Sequence, residues 1–196
     1  MKRSSIILIA VVVVLFLIGS NAVGKYNTMV TMEEGVDAAW SQVENIYQRR
    51  ADLIPNLVAT VKGVAAFEKE TFTAVAEARS KVSNVNLQGI TNDPAAMQQF
   101  QESQGQLSGA LSKLMVVVER YPDLKANQNF LDLQAQLEGT ENRISVERNR
   151  FNKAAQGYNT VIRRFPGSIY AGMFGFEKKA YFEAEAGAEK APEVAF

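Results

Sequence analysis

The residues able to do chemistry fall into two charged groups. Arg49, Arg50 and Asp52 stand just before Pro55, while Glu141, Arg143, Glu147 and Arg148 crowd together with Asn152 further along. Carboxylates beside guanidinium groups can shuttle protons, recognise a small anion, or neutralise one another inside a core. The first use needs companions that this chain lacks. It has no cysteine and no histidine, which removes thiol catalysis, thiolate zinc sites, disulfides, Ser-His-Asp triads and His-ligated metals. No GxxxxGK[ST] phosphate loop and no S-x-x-K pattern accompanies the carboxylates. Catalytic, cofactor and metal sites are therefore expected to be absent. The plain reading of both groups is structural, with Glu147 paired to Arg143 one turn away or to Arg50 across the core. The functional reading is a ligand or partner cluster of Arg49, Arg50, Asp52, Glu147 and Arg148 near Pro55, where backbone carbonyls lose their helical donors.

A third group is apolar. Tyr170, Met173, Phe174 and Phe176 are interspersed with Gly172 and Gly175. They read either as a flap closing the end of a core or as a surface for protein or lipid. Lys plus Arg and Asp plus Glu both number 21. A chain without basic excess offers no electrostatic case for nucleic acid.

Helices must position these groups. In the first segment Val36, Trp40, Val43, Tyr47, Ile54, Leu57, Val61, Val64 and Val75 recur at spacings of three and four, with Arg50, Glu68 and Thr71 as polar occupants. That period marks one buried face of a helix. Thr31 and Glu34 form a capping box that would start it. Pro55 falls inside, and the continuous phase across it predicts a kink rather than a break. A loop-like stretch, Asn84–Asp93, follows. Asp93-Pro94 then opens a second segment carrying Met97, Phe100, Leu107, Leu111, Leu114, Val118 and Tyr121, with Gln104 as its polar interruption. The third is the most regular: Phe130, Leu133, Leu137, Thr140, Ile144, Glu147, Phe151, Ala154, Tyr158, Val161 and Phe165, ended by Pro166-Gly167. Such spacing in all three predicts an elongated antiparallel bundle of three long helices, or four if the first breaks at Pro55. With the first helix running through Pro55, the third points away from the chain's start and the 170–176 group is expected at the far end, whereas a hairpin at Pro55 would return that group to the bilayer.

The first 24 residues differ in kind. Lys2 and Arg3 precede an unbroken apolar run from Ile6 to Gly19. The 20 positions from Ser4 to Val23 make roughly 30 Å of helix, about the hydrocarbon thickness of a bilayer. The rival reading is a cleaved signal peptide with Ser20-Asn21-Ala22 as its site. Two cations before the run and Lys25 after it predict a cytoplasmic N-terminus and an outward-facing bundle.

The chain resembles the LemA family. The resemblance covers residues 25–183 and rests on Arg49-Arg50-Ala51-Asp52-Leu53-Ile54-Pro55-Asn56-Leu57-Val58, Phe67-Glu68-Lys69-Glu70 and Arg120-Tyr121-Pro122-Asp123-Leu124-Lys125-Ala126-Asn127. It continues through Gln136–Ile144, Glu147-Arg148-Asn149-Arg150-Phe151-Asn152, Tyr158-Asn159 and Phe165-Pro166-Gly167, with phenylalanine at 151 where the family pattern has tyrosine. The resemblance implies one membrane span, a bundle of about four helices and no established activity. It favours a retained anchor over a cleaved signal.

The expectation is thus an all-α protein with a membrane anchor at 1–24, a bundle at 25–183 and a flexible tail at 184–196. Its expected place is the bacterial inner membrane, held by lipid contact through residues 4–23, with the bundle in the periplasm. Its expected role is a non-enzymatic scaffold or interaction module, self-associating or binding other envelope proteins. A ligand- or lipid-sensing bundle is the alternative.

Overall fold

The computed structural model describes residues 3–63 and 68–183, and the described residues are all-α. The expected tail at 184–196 lies outside them. Helix α1 (Arg3–Lys62) is one unbroken run of 60 residues, about 90 Å long. Its first part packs on nothing: from Ile7 to Ile18 the large apolar side chains are 49–73% exposed. This stretch is long and apolar enough to cross a membrane. From Met29 onward the same helix turns a stripe inward, burying Met29, Val36, Trp40, Val43, Tyr47, Ile54, Leu57 and Val61.

No helix starts at Thr31. Its Oγ1 donates to the Asn27 carbonyl at 2.9 Å, because the helix entering from the apolar run already supplies partners for the backbone N–H groups that a capping box would serve. The helix also continues through Pro55. The carbonyl that Pro55 cannot satisfy, that of Ala51, instead accepts from Arg79 Nε at 3.2 Å.

The chain reverses between Gly63 and Glu68, not at Pro55. Helix α2 (Lys69–Ser83) runs back along α1, burying Phe72, Val75 and Ala78. The apolar phase from Val61 to Val75 runs unbroken across the reversal, so spacing alone could not reveal it. Asp93 then caps α3 (Pro94–Val118), its Oδ1 accepting from the amides of Ala95 and Ala96. After the single turn α4 (Pro122–Lys125), Asn127 caps α5 (Gln128–Arg163) through the Phe130 amide. The fourth long helix is therefore α2, not a piece of α1 broken off at Pro55.

Two core clusters stack along the bundle. One gathers Ile54, Leu57, Val61, Phe72, Leu111, Leu114, Val118 and Phe130. The other, nearer the apolar run, gathers Met29, Val36, Trp40, Phe100, Phe151, Tyr158, Ile162 and Phe182. Helices α1 and α3 therefore lead away from the apolar run, and α2 and α5 return toward it. One helix more than the periodicity showed inverts the direction of α5. Helix α6 (Gly167–Phe174) thus lies beside the start of the bundle, not at its far end.

Gly167 makes that turn possible, since a Cβ there would strike the Val161 carbonyl oxygen. Gly175 ends α6 at φ 76°, with the amide of Phe176 donating to Ala171 O at 3.0 Å. This is the left-handed cap that glycine favours.

Candidate functional site

The polar centre of the molecule is Arg50. Its side chain is only 2% exposed, and its Nε lies 2.8 Å from Glu141 Oε1 on α5. Nη2 donates to Ser108 Oγ at 2.6 Å, and Nη1 lies 3.5 Å from Gln104 Oε1, both on α3. Three helices thus converge on one guanidinium. A buried arginine requires such a set of acceptors, because an uncompensated buried charge is costly.

This group floors a cavity of about 370 Å³, lined also by Tyr47, Gln101, Arg148 and Glu183. Arg148 closes one side, its Nη2 donating to Gln101 Oε1 and to the Glu183 carbonyl, with its guanidinium 4.8 Å from the Phe182 ring. The wall carries two guanidinium groups against the carboxylates of Glu102, Glu141 and Glu183. It has no cationic excess to draw in an anion.

Below the cavity, residues 176–183 form a strap along the bundle. Asn159 takes the backbone of Lys179 in both directions at 2.9 Å, and Asn152 does the same for Phe182. Phe182 packs against Trp40, Phe100 and Phe151, one ring from each of three helices. Lys179 is buried, and its Nζ reaches Glu33 at 2.8 Å and Asp37 at 4.0 Å. The same ammonium lies 5.7 Å from the Tyr158 ring centre. Burial, with Glu33, Asp37 and Glu177 adding negative charge, pushes the Tyr158 hydroxyl well above its ordinary 10.0.

The residues singled out from the sequence separate into three places. Arg50 and Arg148 line the cavity together. Arg49 and Asp52 are exposed on the outer face of α1, where Asp52 accepts from Gln48. Glu147 pairs with Arg150 at 2.9 Å, and Glu141 takes Arg50 instead. The freed carbonyl at Pro55 offers no open site, because Arg79 occupies it. In the apolar group Tyr170 and Phe176 are half-buried while Met173 and Phe174 are exposed. Gln101, Ser108, Asn159 and Phe182 were missed. Gln104 was the available signal, since two polar residues on two apolar stripes, Arg50 and Gln104, have reason to meet.

Residues 39–196 match the sequence profile of the LemA family. The chain belongs to the LemA family. The match begins inside α1, beyond the apolar run, so the resemblance lies in the bundle. This LemA-family chain is 30% identical over 176 residues to Magnetosome protein MamQ 1 of Paramagnetospirillum magneticum, covering 81% of this chain and 65% of that one. It is 30% identical over 175 residues to Magnetosome protein MamQ of Magnetospirillum gryphiswaldense, covering 81% and 64%. Protein LemA of Metamycoplasma hominis is 25% identical over 162 residues, covering 83% and 70%. The chain therefore spans just under two thirds of the length of the MamQ proteins it matches. None of these names states a reaction.

Proposed function

We propose that this LemA-family protein is a membrane-anchored, non-enzymatic scaffold whose bundle presents helical surfaces to further copies of itself or to other envelope proteins. The observation that carries the reading is the continuity of α1, which is an exposed apolar helix at one end and a core helix of the bundle at the other. Anchor and bundle share one helix with no intervening linker, so the bundle moves with its anchor. Lys2 and Arg3 before the apolar run support a cytoplasmic N-terminus and a bundle on the periplasmic side. The test is light scattering on the full-length chain in detergent. The reading expects one defined particle holding several 21.6 kDa chains. A monomer at every concentration would remove the self-assembling form of the proposal.

A second reading, a sensor of small polar molecules, draws on the cavity beside Arg50 and Arg148. Its walls, with two guanidinium groups against three carboxylates, suit a neutral or zwitterionic compound better than an anion. A thermal-shift screen that finds a compound stabilising the parent chain but not Arg148→Ala would support it, and a screen without such a compound would count against it.

A further inference from the structure

Beyond the apolar run, exposed large hydrophobic side chains concentrate in one place. Phe165 is 82% exposed, Met173 71%, Ile169 53% and Phe174 43%. Among the described residues of the bundle the others so exposed are Tyr26 on α1 and Val116, Leu131 and Val146, spread over α3 and α5. Ile169 and Met173 stand four apart on α6, the spacing that lines one side of a helix, and Phe165 lies in the turn just before it. The opposite side of α6 is the packed one, since Gly167 and Ala171 are buried. The helix therefore closes the bundle with small residues and turns its large apolar ones outward.

Its height along α1 says what those residues meet. Tyr26 of α1 contacts Phe174 edge-on at 5.1 Å and Phe176 at 5.7 Å. Tyr26 lies three residues past Val23, which is about 5 Å of helical rise. The headgroup layer of a bilayer is about 5–8 Å deep on each side. If the apolar run of α1 fills the hydrocarbon, α6 is held at headgroup level. Arg163, Arg164 and Lys178 are exposed around it and Lys25 is half-buried, with Glu177 the acidic neighbour in sequence. Tyr26, an amphipathic ring at the boundary, fits the same layer.

We infer that α6, with Phe165 before it, is a second membrane contact: Phe165, Ile169, Met173 and Phe174 insert at the headgroup–acyl boundary of the bilayer that α1 crosses. The occupant of this apolar face is lipid. A span alone leaves the bundle free to swivel about the axis of α1. Two contacts fix which faces of the bundle look sideways and outward. The inference rests on α1 crossing the bilayer and is independent of the scaffold reading.

Because the chain has no cysteine, single substitutions Ile169→Cys, Met173→Cys, Val116→Cys and Val13→Cys each place one nitroxide. The full-length protein is reconstituted in vesicles of phosphatidylcholine and phosphatidylglycerol, and collision with oxygen is compared with collision with a water-soluble nickel chelate. Labels at 169 and 173 are expected to favour oxygen several-fold over the chelate, as at 13, with the reverse at 116. Labels at 169 and 173 as aqueous as at 116 would overturn the inference. So would spin–spin broadening at 173 that dilution with unlabelled chain removes, which assigns the face to a second copy. An aqueous reading at 13 would overturn the spanning of α1 itself, and that failure is separable from failure at α6.

Discussion

Arg79 on α2 donates its Nε–H to the carbonyl of Ala51 on α1 at 3.2 Å. In a regular helix that carbonyl would accept from residue 55, which here is a proline without an N–H. A side chain from the neighbouring helix replaces the missing backbone donor. This substitution lets α1 run its full length while pinning α2 against it.

The pairing predicts an energetic coupling. Arg79→Met should destabilise the bundle by about 1–2 kcal/mol, the worth of one hydrogen bond plus an acceptor left short. In a Pro55→Ala background the restored amide serves Ala51, and the same arginine substitution should cost close to nothing. Denaturant unfolding of the four chains measures the cycle. Equal costs in both backgrounds would show that Arg79 acts through something other than this carbonyl.

A second prediction concerns the strap. Asn152 and Asn159 are seven residues apart on α5, about 10 Å, and they hold backbones three residues apart, Phe182 and Lys179. Three residues of extended chain cover about the same distance. The match makes the strap a register-specific ligand of its own bundle. Asn159→Ala removes two buried hydrogen bonds and should cost roughly 1–3 kcal/mol at the usual value per bond. Hydrogen exchange at the Lys179 amide should rise sharply, with α2 little affected. Unchanged protection at Lys179 would mean that Phe182 and Lys179 hold the strap unaided.

At the centre, Arg50→Ala should lower stability by about 3 kcal/mol, combining a lost charged hydrogen-bond set with an unfilled volume. Arg50→Met restores most of the volume and should recover part of that loss. Glu141→Gln should cost about 1 kcal/mol or less, because its carboxylate is 42% exposed and partly screened. Thermal melts of the three variants give the ranking. A Glu141→Gln cost as large as that of Arg50→Ala would contradict it.

The last prediction is one of pH. The Tyr158 hydroxyl is buried with no hydrogen-bond partner among the described residues, and its pKa is raised above 10.0 by burial and by Glu33, Asp37 and Glu177. Below pH 10 the phenol is neutral in both folded and unfolded chains, so its contribution is constant. Above 10 the unfolded chain ionises first, and this contribution to stability falls with rising pH. Tyr158→Phe should make the alkaline decline in Tm shallower. At neutral pH it should cost less than about 1 kcal/mol, since no bond is broken. An unchanged alkaline slope would show that other groups set it.

Legibility in the sequence followed the range of the physics involved. The stripes of α3 and α5 are readable because each depends only on which face of one helix is apolar: Met97, Phe100, Leu107, Leu111 and Leu114 are all buried, as are Phe130, Leu137, Ile144 and Phe151, whereas Phe165, the last member of the expected α5 stripe, is exposed because α5 ends at Arg163. The Asp93 cap was readable for the same reason, being a contact between neighbours in the chain. Arg50 was legible as a polar residue on an apolar stripe, but its partner was not. Glu141 and Glu147 lie within two turns of each other, and only the relative height of α1 and α5 selects Glu141.

The sequence by itself determined the helical class, the apolar N-terminal run, the buried faces and the absence of cysteine and histidine chemistry, because composition and period are local properties. Only the tertiary structure decided where the chain turns back. An apolar period carries phase but no direction, so the reversal between Gly63 and Glu68 left the stripe through Val61 and Val75 unchanged. That one turn inverts α5, delivers Asn152 and Asn159 to the strap, and carries α6 from the far end of the bundle to Tyr26. Contacts between residues more than a hundred positions apart depend on the count of reversals between them, which no local pattern records.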